Sequence, residues 1–236
     1  MVSRAVTCLI WSFVAASAFA QAPVKPGEYI LDGGSGNLTL KPGKNGALLF
    51  SIETIGANAH TCSLEGELRE GKASLDGNES GKPCIVTIRA VAEGIAVKSS
   101  DDGECRYYCG ARASFDGTYL QPPTGCSGNA IAATRKSFKQ LYDRKQFADA
   151  RAKLEPVMKD CARQLDWLET GRIRNDLAVT LHKLGDLVGC RAILKPLAEN
   201  AAATDAALRE NYPPTDAENY LPIARATRTN LKLCRE

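Results

Sequence analysis

Three groups of side chains in this sequence could do chemistry: nine cysteines, two histidines, and a serine set among glycines. The serine lies in Gly33-Gly-Ser-Gly-Asn37, close to a GxSxG nucleophile elbow but ending in Asn, so it reads as a flexible turn. His60 opens a strand beside Thr61 and His182 falls on a helix. Neither has a nucleophile or carboxylate at a useful spacing, which points to solvated or structural roles. Asp101, Asp102 and Glu104 lack the ligand spacing of a calcium loop and read as a solvated turn. Zinc would need CxxC pairs or clustered histidines, and the sequence has neither. The expectation is a chain with no catalytic, metal-binding or cofactor-binding residues and no cofactor, hence not an enzyme.

The cysteines then read as covalent bracing. Met1-Val-Ser-Arg4 supplies a positive start, 5–14 is apolar, and Ala18-Phe-Ala20 is an A-x-A-like cleavage site, so 1–20 is expected to be a signal peptide cleaved after Ala20, taking Cys8 with it. Cys62, Cys84, Cys105, Cys109, Cys126, Cys161, Cys190 and Cys234 remain, an even set in an exported chain, which implies disulfides in a secreted or periplasmic protein. No later run approaches the roughly 18 apolar residues needed to cross a membrane. The net charge of +3 falls to about +2 without Arg4, too small to imply nucleic-acid binding.

The elements behind these residues fall into two halves of an α+β chain. Residues 22–120 are rich in Gly, Ser, Thr and Val, with short alternating runs at 27–32, 37–40, 46–54, 61–68, 72–75, 84–90 and 94–99. They predict a small antiparallel barrel or sandwich. Leu48, Phe50 and Ile52 share one strand face, as do Cys62, Leu64 and Leu68, and Cys84, Val86 and Ile88, and all three faces should point inward. Cys62 and Cys84 are therefore expected to pair in the core, and Cys105 with Cys109 across a turn. Residues 109–119 read as a further alternating strand that closes the sheet, with Ala111, Ala113 and Phe115 on one side. Prolines in 121–126 form a stiff linker.

Residues 127–236 are rich in Ala, Leu, Arg and Lys at helical spacing, with helices expected near 130–142, 147–163, 173–184, 187–201, 203–209 and 216–234. An internal repeat runs through them: Lys145 to Val157 is echoed forty residues later by Gly185 to Leu197, with Phe147/Leu187, Ala150/Cys190, Leu154/Leu194 and Pro156/Pro196 in step. Stacked helical hairpins would bring Cys126 to Cys161 and Cys190 to Cys234.

The second copy resembles a tetratricopeptide repeat through Ala178, Leu181, Gly185, Leu187, Cys190, Leu194 and Pro196. That resemblance implies a concave face bearing Arg172, Asn175, Val179 and His182 from one unit and Ala132, Arg135, Lys139 and Tyr142 from the other, a basic and polar groove suited to a protein or peptide partner, an acidic one included. The mature chain also resembles a group of uncharacterised secreted proteobacterial proteins through Tyr108-Cys-Gly-Ala-Arg-Ala-Ser-Phe-Asp-Gly-Thr-Tyr119 and Trp167-Leu-Glu-Thr-Gly-Arg-Ile-Arg-Asn-Asp-Leu-Ala-Val-Thr180. A second candidate surface groups Arg106, Tyr107, Tyr108 and Arg112, residue types enriched in binding hot spots. Asn37-Leu-Thr39 and Asn78-Glu-Ser80 match the glycosylation pattern by chance in a bacterial export product. The combined expectation is a non-enzymatic protein-binding protein of the bacterial cell envelope. The alternative is a periplasmic inhibitor of a cell-wall hydrolase such as lysozyme, by likeness of architecture to small disulfide-braced β inhibitors.

Overall fold

The computed structural model describes residues 23–77, 81–100 and 103–235. The expected signal peptide, Cys8, Asn78-Glu-Ser80 and Asp101-Asp102 lie outside them. The fold is α+β. Eight strands, β1 (Gly27–Leu31), β2 (Gly36–Pro42), β3 (Leu48–Ile55), β4 (Thr61–Leu68), β5 (Lys72–Leu75), β6 (Cys84–Val91), β7 (Gly94–Ser99) and β8 (Gly117–Leu120), form one antiparallel sheet in the order β4-β3-β2-β1-β8-β7-β6-β5. Strand β8 pairs with β7 at Ile95–Tyr119 and with β1 at Ile30–Leu120, so the meander curls back on its own start. At the remaining seam, β4 and β5 share the single bridge Arg69–Lys72, which makes the sheet a nearly closed barrel.

Strict alternation determines which side chains fill it. Along β3, Phe50, Ile52 and Thr54 are buried while Leu49, Ser51, Glu53 and Ile55 face out. Leu64 and Leu68, Val86 and Ile88, and Val97 join them, and the expected inward faces meet with only Leu48 left at the rim. The interior is thus a packed core. Each fully buried aliphatic side chain contributes about 1.5–3 kcal/mol relative to exposure.

Two expected disulfides are corrected. Cys62 bonds Cys109 and Cys84 bonds Cys105, with Cα separations of 4.1 and 4.6 Å. The reason is the 3-10 turn Glu104–Tyr108. At three residues per turn, positions four apart point about 120° from one another, so Cys105 and Cys109 face different strands. Cys105 reaches β6, and Cys109, in extended backbone at the end of the turn, reaches β4. The segment is a strap across the open seam that four-residue β5 leaves between β4 and β6. Gly110 N donates to Thr61 O (2.8 Å) and Tyr108 hydroxyl to Asp76 O (2.8 Å) along its two edges.

The expected strand over 109–119 is corrected too: only Gly117–Leu120 is β. Residues 111–116 cross the end of the barrel from the β4 seam to the β7–β1 side, and their polar groups are met irregularly. Thr54 hydroxyl donates to Ser114 O (2.9 Å), while Ala113 and Phe115 are buried beneath.

The helical half comprises α1 (Gly128–Asp143), α2 (Phe147–Asp160), α3 (Trp167–Lys183), α4 (Leu187–Leu194), α5 (Ala198–Ala202), α6 (Asp205–Asn211) and α7 (Pro214–Leu233). Helix α3 starts six residues before its expected place because Asp166 caps it, accepting from Glu169 N at 2.7 Å. The expected helix over 187–201 is interrupted by a 3-10 turn containing Pro196, whose ring cannot donate to the ladder. Cys126–Cys161 and Cys190–Cys234 form as expected, tying α1 to the end of α2 and α4 to the end of α7. The repeat is visible in the backbone: Gly185 takes φ 76° in the turn before α4, and Lys145, forty residues earlier, takes φ 60° before α2.

The halves interlock. Arg163 N–H groups donate to Asp32 (2.7 Å) and Glu93 (2.9 Å), and Gly33 N donates to Arg163 O at 2.9 Å. Gly34 lies so close to the Gln164–Asp166 backbone that a Cβ there would stand 2.4 Å from Asp166 N. On another side, the β3–β4 turn meets the start of α7 through Asn58 and Asp216.

Candidate functional site: a groove and a cleft that share Arg135

Helices α1 and α3 flank a groove of about 570 Å³ lined by Phe138, Tyr142 and Val179, with Arg135, Lys136, Lys139, Asp143 and Asp176 around them. Phe138 and Tyr142 rings pack 5.9 Å apart, and Tyr142 meets Phe147 edge-on at 5.2 Å. One wall is therefore an aromatic shelf.

The electrostatics differ from the expected basic face. Arg135 is engaged from both sides, donating to Glu169 at 2.9 Å and to Asp176 at 2.9 Å. Burial pulls its pKa down, but the bonds to Asp176 and Glu169 outweigh it and hold the guanidinium above its usual value. Asp176 is raised above the ordinary carboxylate range, by burial first, with Arg135 opposing. Lys139 pairs with Asp143 (2.7 Å) one turn on, and Arg172 with Glu169 (3.4 Å). Lys136 is the rim cation with no carboxylate partner among the described residues. The groove is close to charge-balanced.

Of the residues placed on the concave face by the repeat pattern, Arg135, Lys139, Tyr142 and Val179 do come together. Asn175 does not. It is buried in the seam between α3 and α7, where its amide donates to Thr227 (2.9 Å) and accepts from Asn230 (2.9 Å), because α7 covers that side of α3. His182 sits half-buried toward the end of α3 with Nδ1 enclosed and unbonded, outside the groove lining. Arg172 lies beside the groove, tied to Glu169.

Arg135 also lines a second cavity of about 500 Å³, where the barrel meets the helices. Its walls include Ile30, Gly34 and Asn37 from β1, β2 and their turn, Ile131 from α1, Gln164, Leu165 and Asp166 from the α2–α3 connection, and Glu169 from the first turn of α3. Sequence reasoning missed this cleft, since it exists only once the halves dock.

On the strap, Tyr107 is 69% exposed, while its neighbours are held: Arg106 donates to Ala111 O (2.8 Å) and Tyr108 bonds Asp76. Among the described residues no three His, Cys, Asp or Glu side chains group to hold a metal ion, and no helix is long and apolar enough to cross a membrane. The four disulfides suit an oxidising extracellular or periplasmic compartment. In comparison with known proteins, no family model, curated protein or solved structure matches the chain.

Proposed function

We propose that this is an exported, non-enzymatic protein-binding protein of the bacterial cell envelope, cleaved after Ala20, whose tetratricopeptide-like helices hold a peptide segment of a partner in the groove between α1 and α3. The observation that carries the reading is the aromatic shelf of Phe138 and Tyr142 beside a charged rim. Such a surface takes an apolar or aromatic anchor from the partner and orients it through polar edges. With Arg135 already paired, an acidic group on the partner meets Lys136 rather than a broad positive field. The resemblance to secreted proteobacterial proteins agrees with this address and supplies no partner.

The test is capture of the native partner from periplasmic extract by the disulfide-intact protein. Tyr142→Ala should reduce recovery about tenfold or more, as loss of a hot-spot ring does, and Lys136→Glu should weaken capture chiefly at low salt. Wild-type recovery by both variants would remove the groove from the reading.

One observation favours the alternative, inhibition of a cell-wall hydrolase. Tyr107 projects from a turn pinned on both sides by disulfides, a preorganised protrusion that loses little freedom on entering a cleft. Lysozyme inhibition by the whole protein, abolished in Tyr107→Ala and retained in Tyr142→Ala, would select that reading.

A further inference from the structure

The two carboxylates that hold Arg135 at the groove are not equally provided for. Glu169 accepts from Arg135 Nη1 on both oxygens, at 2.9 and 3.1 Å, and from Arg172 Nη1 at 3.4 Å. Asp176 accepts a single bond, from Arg135 Nη2 to Oδ2 at 2.9 Å, and its Oδ1 accepts from no described residue. Its side chain is nevertheless only 33% exposed. Burial with so few donors disfavours the charged form of a carboxylate, and it outweighs the opposing pull of Arg135.

Few other charges bear on Asp176. From α1 it meets Arg135, with Lys136, Lys139, Tyr142 and Asp143 in the same groove lining. On its own helix Glu169 lies two turns back, tied to Arg172. Helices α2, α4 and α7 pack on other faces of α3, against Leu177, Ala178 and Asn175, and among the described residues no charged group of theirs acts on Asp176. The Tyr142 phenol is pushed above its usual value by burial first and by Asp176 next, so the charge of this carboxylate is felt on the aromatic shelf. With Lys139 tied to Asp143 and Arg135 shared between Glu169 and Asp176, the balance of the groove turns on that one charge.

We infer that Asp176 is a proton-operated switch on the groove: in mild acid it takes up a proton, Arg135 is released from one of its two carboxylates, and an acidic group of the bound segment is held beside Tyr142 more tightly than at neutral pH. The inference rests on the reading of the α1–α3 groove as the binding site and adds its regulation. At neutral pH the Asp176 carboxylate competes with the partner's acidic group for Arg135, and once protonated it no longer does. The same step weakens the hold on a basic segment, so the direction of the pH response reports the sign of the partner's charge. An aspartate or terminal carboxyl of the partner, with an ordinary pKa of about 3.3–3.9, is still ionised where the raised Asp176 is not. Capture of an acidic segment is strongest in the window between the two.

The experiment follows the whole, disulfide-intact protein by carboxyl-carbon and side-chain NMR, first alone across pH and then with N-acetyl-Phe-Asp-amide beside N-acetyl-Phe-Asn-amide. In the free protein the Asp176 carboxyl should titrate above the ordinary aspartate value of about 3.9, and the Arg135 side-chain N–H signals should move with the same midpoint. On the acid side of that midpoint the acidic probe should bind about threefold or more tighter than at neutral pH in low salt, the effect of one charge several ångströms away in a partly solvated site. The uncharged probe should not respond. Asp176→Asn, neutral at every pH, should hold the acidic probe at neutral pH as tightly as the unsubstituted protein does in acid. An Asp176 midpoint at or below the ordinary value overturns the inference even if that variant fails to fold, and leaves the groove reading to the Tyr142→Ala test. Equal pH response of both probes, with Phe138 and Tyr142 shifted by each, overturns the switch while keeping the groove. Absence of any shift at Phe138 and Tyr142 with either probe overturns the switch and the groove reading together.

Discussion

Asn58 and Asp216 stand 158 residues apart in sequence and are bonded across the two halves: Asn58 N donates to the Asp216 carboxylate at 2.9 Å, and beside it Asn58 Oδ1 accepts from Thr215 N at 2.9 Å. Helix α7 begins after Pro213, which has no side chain able to cap it. The cap is supplied by the barrel, from a turn residue in the left-handed region at φ 59°. Barrel and helices are therefore coupled through a helix terminus.

Replacing Asn58 should loosen α7. Asn58→Gly keeps the turn geometry and removes only the side-chain bond, and it should cost about 0.5–1 kcal/mol; Asn58→Ala adds backbone strain and should cost about 1–2 kcal/mol. Chemical denaturation gives the totals, and hydrogen exchange should speed up first in the opening turn of α7. Unchanged exchange there would show that packing against α3 alone holds the helix start.

The disulfide strap gives a second expectation. Peptide mapping of the unreduced protein should find Cys62 with Cys109 and Cys84 with Cys105. On the chain-entropy model, their loops of 47 and 21 residues correspond to about 4 and about 3 kcal/mol. Removing the Cys62–Cys109 pair as Ala–Ala should therefore be the more costly, read from the denaturation midpoint. Recovery of a Cys62–Cys84 peptide would contradict the architecture of the seam.

Lys145 holds φ 60° where its repeat partner Gly185 holds φ 76°. A side chain in that region costs roughly 1–2 kcal/mol that glycine avoids. Lys145→Gly should raise stability by about 0.5–1 kcal/mol, less than the strain because glycine also loosens the unfolded chain. Gly185→Ala should lower it by about 1 kcal/mol through the same strain, since open space surrounds the position and no clash arises. Thermal unfolding of both variants reads the two signs.

The joint at Arg163 is acid-sensitive. The bond from Arg163 holds the Asp32 carboxyl below its ordinary range, against a smaller opposing effect of burial. A folded pKa below the unfolded one contributes stability that is present above the unfolded value and lost as pH falls through the folded one. Exchange protection at Gly33 should consequently weaken below about pH 4. Asp32→Asn should show the weakened protection at neutral pH and little further change on acidification. A pH-independent Gly33 amide in the unsubstituted protein would show that the joint rests on packing alone.

Much of the β half was legible because alternation is a local signal: Phe50 and Ile52, or Val86 and Ile88, announce their inward face within their own strands. What failed was topology. Nothing near Cys105 and Cys109 says that their turn is 3-10 and spans a seam, or that β5 is too short to fill it. The start of α3 was legible and overlooked, since Asp166 with Glu169 three residues on is a capping pattern. Arg135 and Lys139 were legible as groove residues through the repeat. The neutralisation of Arg135 was not, because Glu169 and Asp176 come from another helix, whereas Lys139 meets Asp143 one turn on along its own helix. Asn175 left the groove for the same kind of reason, as α7 returns from far down the chain to cover it. Gln164 carries no signal in sequence, for its burial depends on how Gly34 docks.

The nesting of one strap disulfide inside the other also bears on how the chain matures. In the helical half each cysteine bonds the next one along, Cys126 to Cys161 and Cys190 to Cys234. In the barrel, Cys84–Cys105 is enclosed by Cys62–Cys109. Oxidation of the chain in the order of its emergence, N-terminus first, joins Cys62 to Cys84 as soon as both are available and strands Cys105 with Cys109. The helical staples come out right under such vectorial pairing. The barrel does not: under that order its strap would reach the native linkage by thiol–disulfide exchange, and a catalyst of disulfide shuffling, not merely an oxidant, would then raise the yield of this half of the molecule.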